Sequence, residues 1–85
     1  MGNKKCQKIS IPDPVGFQCP VMILRGNREL FIENYKGISD YTKTHILVDG
    51  KEMKVEVDGS NLMISYYTNM EMKIVGTIES VWIRS

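Results

Sequence analysis

From Ile46 to Tyr67 apolar and polar residues alternate in three short runs, joined by Asp49-Gly50 and by Asp58-Gly59-Ser60-Asn61. A period of two sends successive side chains to opposite faces of an extended chain. Met53, Val55 and Val57 therefore share one face, with Lys54 and Glu56 on the other. Past Asp58-Gly59 the alternation resumes, with Leu62, Ile64 and Tyr66 set against Met63, Ser65 and Tyr67. Each run predicts a strand and each joint a tight turn. A type I′ hairpin turn demands positive φ at both central residues, which Asp-Gly supplies at low steric cost. Asp49-Gly50 is thus expected at a hairpin tip, and Gly59 at positive φ.

The same pattern extends to either side. Val21 to Arg25 is almost wholly apolar, Gly26-Asn27-Arg28 breaks it, and Glu29 to Tyr35 follows, which predicts a hairpin. Leu30 and Ile32 share one face of its second strand, Phe31 and Tyr35 the other. Lys36-Gly37 is the next turn, Gly37 to Tyr41 a short strand, and Thr42-Lys43-Thr44 its close. After a turn at Thr68-Asn69, Met72, Ile74 and Ile78 share a face with Gly76 between them, where close backbone approach or a bend is expected. Val81 and Ile83 return to that face only if a bulge near Glu79-Ser80 restores the phase. The sum is about seven strands at roughly 8–12-residue spacing and no helix. The expected fold is all-β, a small antiparallel meander closing into a sandwich or a partly open barrel.

Residues 1–19 carry no continuous pattern. Pro12, Pro14 and Pro20 forbid a helix through Ile9–Val21, and Ile9 and Ile11 could add an edge strand. The expected organisation is a proline-broken arm over 1–19 and a single all-β domain over 20–85. A chain of 85 residues buries only roughly 60–65% of its unfolded surface. So thin a core invites stabilisation by a second copy or a partner.

Charge narrows the function. The formal net charge is +1, with acids and bases interleaved, whereas nucleic acid calls for a concentrated basic face. Lys4, Lys5 and Lys8 form the only basic cluster and read as a solvated terminus. Cys6 and Cys19 lie in no CxxC pair and His45 is the single histidine, too few groups for the usual four ligands of zinc. Free thiols in a reducing, cytoplasmic setting are favoured over a disulfide. No run of about 18 apolar residues is present, nor an apolar leader after the N-terminal lysines.

Candidate chemistry is sparse. Glu33-Asn34 sets a carboxylate beside an amide with no nucleophile or base in the pattern, and Asn34 reads better as a turn residue. His45 is expected to be exposed at a strand start. Asp49, Asp58 and Asn61 lack the spacing of a calcium loop and its closing glutamate. No catalytic, metal-binding or cofactor-binding residue is assigned, no cofactor or small-molecule substrate is expected, and no enzyme activity follows. What remains is an apolar second phase: Met22, Leu24, Phe31, Tyr35, Met63 and Tyr67 lie opposite the expected core and form the candidate interaction surface. Met22 and Met63 suit an adaptable contact, Met53 and Met72 the core. The expected mode of action is association, with a protein partner or as a homo-oligomer. The alternative, a small-ligand-binding β-barrel, needs convergent polar groups in a concavity.

The segments GNRELFIENYKGISDYT, HILVDG, KVEVDGSNLMISYY and MKIVGTIESVWI, with Pro20 before the first strand, run colinearly from about Pro20 to Ile83. Their most specific part is Ile32-Glu33-Asn34-Tyr35-Lys36-Gly37, with Gly59 and Gly76 at their spacing. Together they resemble the YabP/YqfC family of sporulation proteins, and its YqfC branch most. The resemblance implies a small factor of endospore-forming bacteria without assigned chemistry, cytoplasmic or peripheral to a membrane. It also implies a candidate partner, a membrane-anchored YqfD-like sporulation protein. Val21 and Ile23 depart from the resemblance, standing where more polar residues are expected.

Overall fold

The computed structural model describes residues 20–85; the expected arm at 1–19, with both cysteines, the lysine cluster and the candidate strand at Ile9–Ile11, lies outside them. Six strands follow in order: β1 Val21–Arg25, β2 Glu29–Glu33, β3 Tyr35–Tyr41, β4 His45–Gly50, β5 Met53–Tyr67 and β6 Glu71–Arg84. They form one antiparallel sheet in the order β1-β2-β6-β5-β4-β3. The all-β class stands, and the described residues hold six strands rather than about seven.

The strand count falls because Asp58-Gly59-Ser60-Asn61 is not a turn. β5 runs through it, paired with β6 along its whole length. Register shifts after Asp58 and after Ser60 mark bulges. Val57 and Leu62 are five residues apart, so an uninterrupted strand would send them to opposite faces; the extra residue after Ser60 brings both into the core. Asn61, at φ 54, takes the left-handed backbone, while Gly59 has no positive φ. On β6 the bulge expected near Glu79-Ser80 is present. Ser80 pairs with Asp58 and Ile78 with Gly59, which leaves Glu79 over, so Ile78 and Val81 both reach the core side.

The hairpin tip also differs from expectation. Gly50 is the last residue of β4 and pairs with Met53, so Lys51-Glu52 is the two-residue tip, with Glu52 at φ 65. Glycine at 50 answers a packing need instead. The ring of Pro20 lies 2.5 Å from where a Cβ would stand.

The expected meander is interrupted once. β3 to β6 follow one another across the sheet, but β2 pairs with β6 and not with β3. Asn34 alone joins β2 to β3, at φ 65, its N–H donating to the Met70 carbonyl at 3.3 Å. So short a crossing is possible because the sheet doubles over. β2 pairs only with Glu71–Val75 of β6, and β4 only with Met53–Asp58 of β5. Each end of the long β5–β6 hairpin thus carries its own pair of short strands.

Leu30, Ile32, Leu62, Met72 and Ile74 from one half meet Tyr35, Ile46, Val48, Val55, Val57 and Ile78 in a single buried cluster. The arrangement is sandwich-like and the sheet is not closed into a barrel. At the bend the short hairpins clasp the long one. Gly59 and Leu62 donate N–H to the Thr44 and Lys43 carbonyls, and Gly76 and Ile78 to those of Arg28 and Asn27. Backbone groups left over by the bulges are satisfied in this way.

Candidate functional site

Facing residues on paired strands point to the same side. Met22 and Leu24 pair with Ile32 and Leu30, so they turn towards the core side of β1. Met22 packs against the core; Leu24, at the rim, is 53% exposed. Phe31 points outward, half-buried between the Arg25 guanidinium at 5.5 Å and the Lys73 ammonium at 5.4 Å from its ring centre. Met63 is exposed on the same outer face, paired with Val75.

Tyr35 is a correction to the expected surface, for it lies in the core. The chain restarts its phase at Asn34, so Tyr35 belongs to β3 and not to the face of Phe31. Its hydroxyl donates to the Thr68 carbonyl and its ring stacks on Tyr67 at 5.7 Å. Burial, then the neighbouring Tyr67, pushes the Tyr35 hydroxyl above its ordinary pKa and keeps it a donor. Tyr67 itself stays half exposed. Phe31 and Met63 therefore share one face, Tyr35 and Tyr67 touch at another place, and the six residues do not form one patch.

The exposed apolar surface is centred elsewhere. Among the described residues β1 is an edge strand of the sheet, apolar at Val21, Met22, Ile23 and Leu24, and Val21, Ile23 and Leu24 are all exposed. Ile23, at 56%, is the most open of them, and it was absent from the sequence-derived surface. A continuous apolar run reads as a strand flanked on both sides, so its place at an edge is not visible in the pattern.

The outer face of the other half carries a row of charged groups beside Leu47 and the exposed Trp82. One row crosses four strands: Asp40 Oδ2 lies 2.9 Å from His45 Nδ1, Glu56 Oε2 2.7 Å from His45 Nε2, and Arg84 Nε donates to Glu56 Oε1 at 2.6 Å. Charges alternate along it when the imidazole is protonated. The hydrogen bond to Asp40, then that to Glu56, raises the His45 pKa; Arg84, then His45, lowers that of Glu56. A second link joins Lys54 to Asp49 at 2.6 Å, with Ser39 also donating to Asp49, and lowers the Asp49 pKa. His45 thus stands inside a charge network, which the sequence hid because Asp40 and Glu56 come from neighbouring strands whose register the pattern does not give.

Among the described residues, His45, Glu56 and Asp58 could each offer one ligand atom to a cation, all within 4.8 Å of one another. Each is already engaged: Glu56 with Arg84 and His45, and Asp58 with the Ser80 hydroxyl at 3.3 Å. The Ser80 hydroxyl turns to Asp58 and accepts from the Trp82 indole at 3.1 Å, so it is not poised on the imidazole as a nucleophile. Tyr41, Thr42, Lys43, Asn61, Leu62 and Met63 line an open groove of about 390 Å³. The Tyr41 hydroxyl in it accepts from the Ile64 N–H at 3.0 Å.

Comparison with known proteins gives one positive result. No curated protein and no solved structure matches the chain. The model of the YabP family matches residues 20–83, which takes in all six strands but for Arg84, the last residue of β6. The chain belongs to the YabP family.

Proposed function

We propose that this protein is a non-enzymatic sporulation factor that works by protein–protein association, with a membrane-anchored protein of the YqfD-like kind as candidate partner. The observation that carries the reading is β1, an edge strand with exposed apolar side chains in both phases. The setting rests on the family, and the partner on the resemblance to the YqfC branch. The polar row at His45 supports a non-enzymatic role, since its groups satisfy one another and none is aligned as a nucleophile with a base.

The test is genetic. A strain of an endospore former lacking this chain should yield fewer heat-resistant spores. Wild type and His45→Gln should restore them, and Ile23→Lys should not, although it accumulates as folded protein. Full rescue by Ile23→Lys together with failure by His45→Gln would turn the reading towards chemistry at the polar row.

A further inference from the structure

We propose, building on the association reading above, that β1 is the site of self-association: two copies pair antiparallel along this strand, with Ile23 facing Ile23 across the symmetry axis. Among the described residues the two edges of the sheet differ. β3 carries register shifts after Tyr35 and after Ile38, a glycine at 37, and the charges of Lys36 and Asp40. Those are the devices that keep an edge from pairing with another chain. β1 has none of them except the single charge of Arg25. It pairs with β2 in unbroken register over Val21–Arg25, and holds no proline, glycine, lysine or acid.

A second copy suits this edge chemically. Pairing about Ile23 sets Met22 against Leu24 and Val21 against Arg25. Leu24, exposed on the core side of the rim, is then covered by the Met22 of the other copy, and the apolar layer continues across the junction. Ile23 gains an identical neighbour on the outer face. The one charge of the strand, Arg25, is matched within its own hairpin by Glu29 at 3.4 Å. In the antiparallel arrangement the two Arg25 side chains stand at opposite ends, about 14 Å apart at the strand rise, beyond the screening length of about 8 Å in physiological salt. A net charge of +1 per chain adds little repulsion. The two six-stranded sheets become one continuous sheet. A five-residue edge is a small interface, of the transient class below about 1,200 Å², so the dimer forms and dissociates with concentration.

The experiment is sedimentation velocity on the full chain over a wide concentration range, with wild type, Ile23→Lys, Ile23→Glu and an equimolar mixture of the two variants. Ile23 is exposed, so both variants should keep the wild-type melting temperature. Wild type should shift from monomer to dimer as concentration rises. Each variant alone should lose the dimer, because like charges then face each other at the axis. The mixture should regain it, because lysine then faces glutamate. Dimers of Ile23→Lys at the wild-type level would overturn the β1 interface and leave association through another surface standing. Monomeric variants whose mixture also stays monomeric would overturn the register. A wild type monomeric at every concentration would overturn self-pairing altogether, leaving the edge to another strand and the association reading to the spore assay.

Discussion

Gly59 lies so close to the carbonyl oxygen of Thr77 that a Cβ on it would overlap that oxygen. The contact is reciprocated one step along the bend, where a Cβ on Gly76 would stand 2.6 Å from the Asn61 carbonyl. The long hairpin can fold over because its two strands meet through hydrogens there. Gly59→Ala should therefore destabilise by about 1–3 kcal/mol, the usual cost of forcing extra atoms into a packed site. Gly76→Ala should do the same, with its φ of 134 adding strain. Gly37→Ala is the control: nothing lies within 4 Å and its φ is ordinary. Chemical denaturation of the three variants checks this, and a Gly59→Ala midpoint equal to that of Gly37→Ala would remove the close approach as the reason for glycine.

The two tyrosines that tie β3 to the end of β5 give a second expectation. Tyr35→Phe removes the donor to the Thr68 carbonyl and should cost about 0.5–1.5 kcal/mol. Tyr35→Ser empties a core position and should cost about 3–5 kcal/mol, as for other buried aromatics. Tyr67→Ser loses mainly the ring stack, about 0.5–1.5 kcal/mol. Urea denaturation orders the three. A Tyr35→Ser variant as stable as Tyr67→Ser would return Tyr35 to the surface.

Period-two alternation made the strands legible, along with the sides of Val55, Val57, Leu30, Ile32, Met72 and Ile74. It even located the bulge at Glu79, because Ile78 and Val81 are both apolar at an odd spacing. Pairing across the sheet was not legible. Asp58-Gly59 has the chemistry of a turn, and only the presence of β6 alongside makes it a bulge. Asp49-Gly50 has that chemistry too, yet the ring of Pro20 is what requires the glycine. The error at Tyr35 was one of phase, caused by the reset at Asn34. Of the candidate surface, Met63, Tyr67 and the rim residue Leu24 emerged exposed. Ile23 was missed, because a wholly apolar strand looks central until the sheet order is known. The row at His45 needed that order as well, since Asp40, His45, Glu56 and Arg84 belong to four different strands.

The protein should not take up zinc stoichiometrically at neutral pH. A cation at His45, Glu56 and Asp58 would have to displace the proton on Nε2 and break the Arg84–Glu56 bond, and it would gain three partly exposed ligands. Stable zinc sites use a pre-oriented set, mostly of nitrogen and sulfur. Elemental analysis after dialysis against zinc checks the expectation. One ion per chain that disappears in His45→Gln would overturn it.

The polar row should make stability fall as pH rises past the ordinary histidine pKa. His45 has its pKa raised in the fold above the ordinary 6.5, by Asp40 first and Glu56 second. A raised pKa means that the folded state holds the proton more tightly than the unfolded state. Its contribution is fully present below the unfolded value of about 6.5 and is lost as pH rises through the higher folded value. Glu56 and Asp49 run the other way. Their pKa values are lowered from 4.5 and 3.8, so their contributions are present above those values and vanish as pH falls through the folded ones. Melting temperature should thus decline at both ends, and His45→Gln should flatten the high-pH limb, with a smaller change on the acid limb because His45 also lowers the Glu56 pKa. Because His45 is the single histidine, its imidazole proton signals report it without ambiguity. They should titrate above 6.5 in wild type. Asp40→Asn should lower the midpoint more than Glu56→Gln, since Asp40 is the larger cause and Glu56 is shared with Arg84. A wild-type midpoint at or below 6.5 would dissolve the row as an ion-pair network.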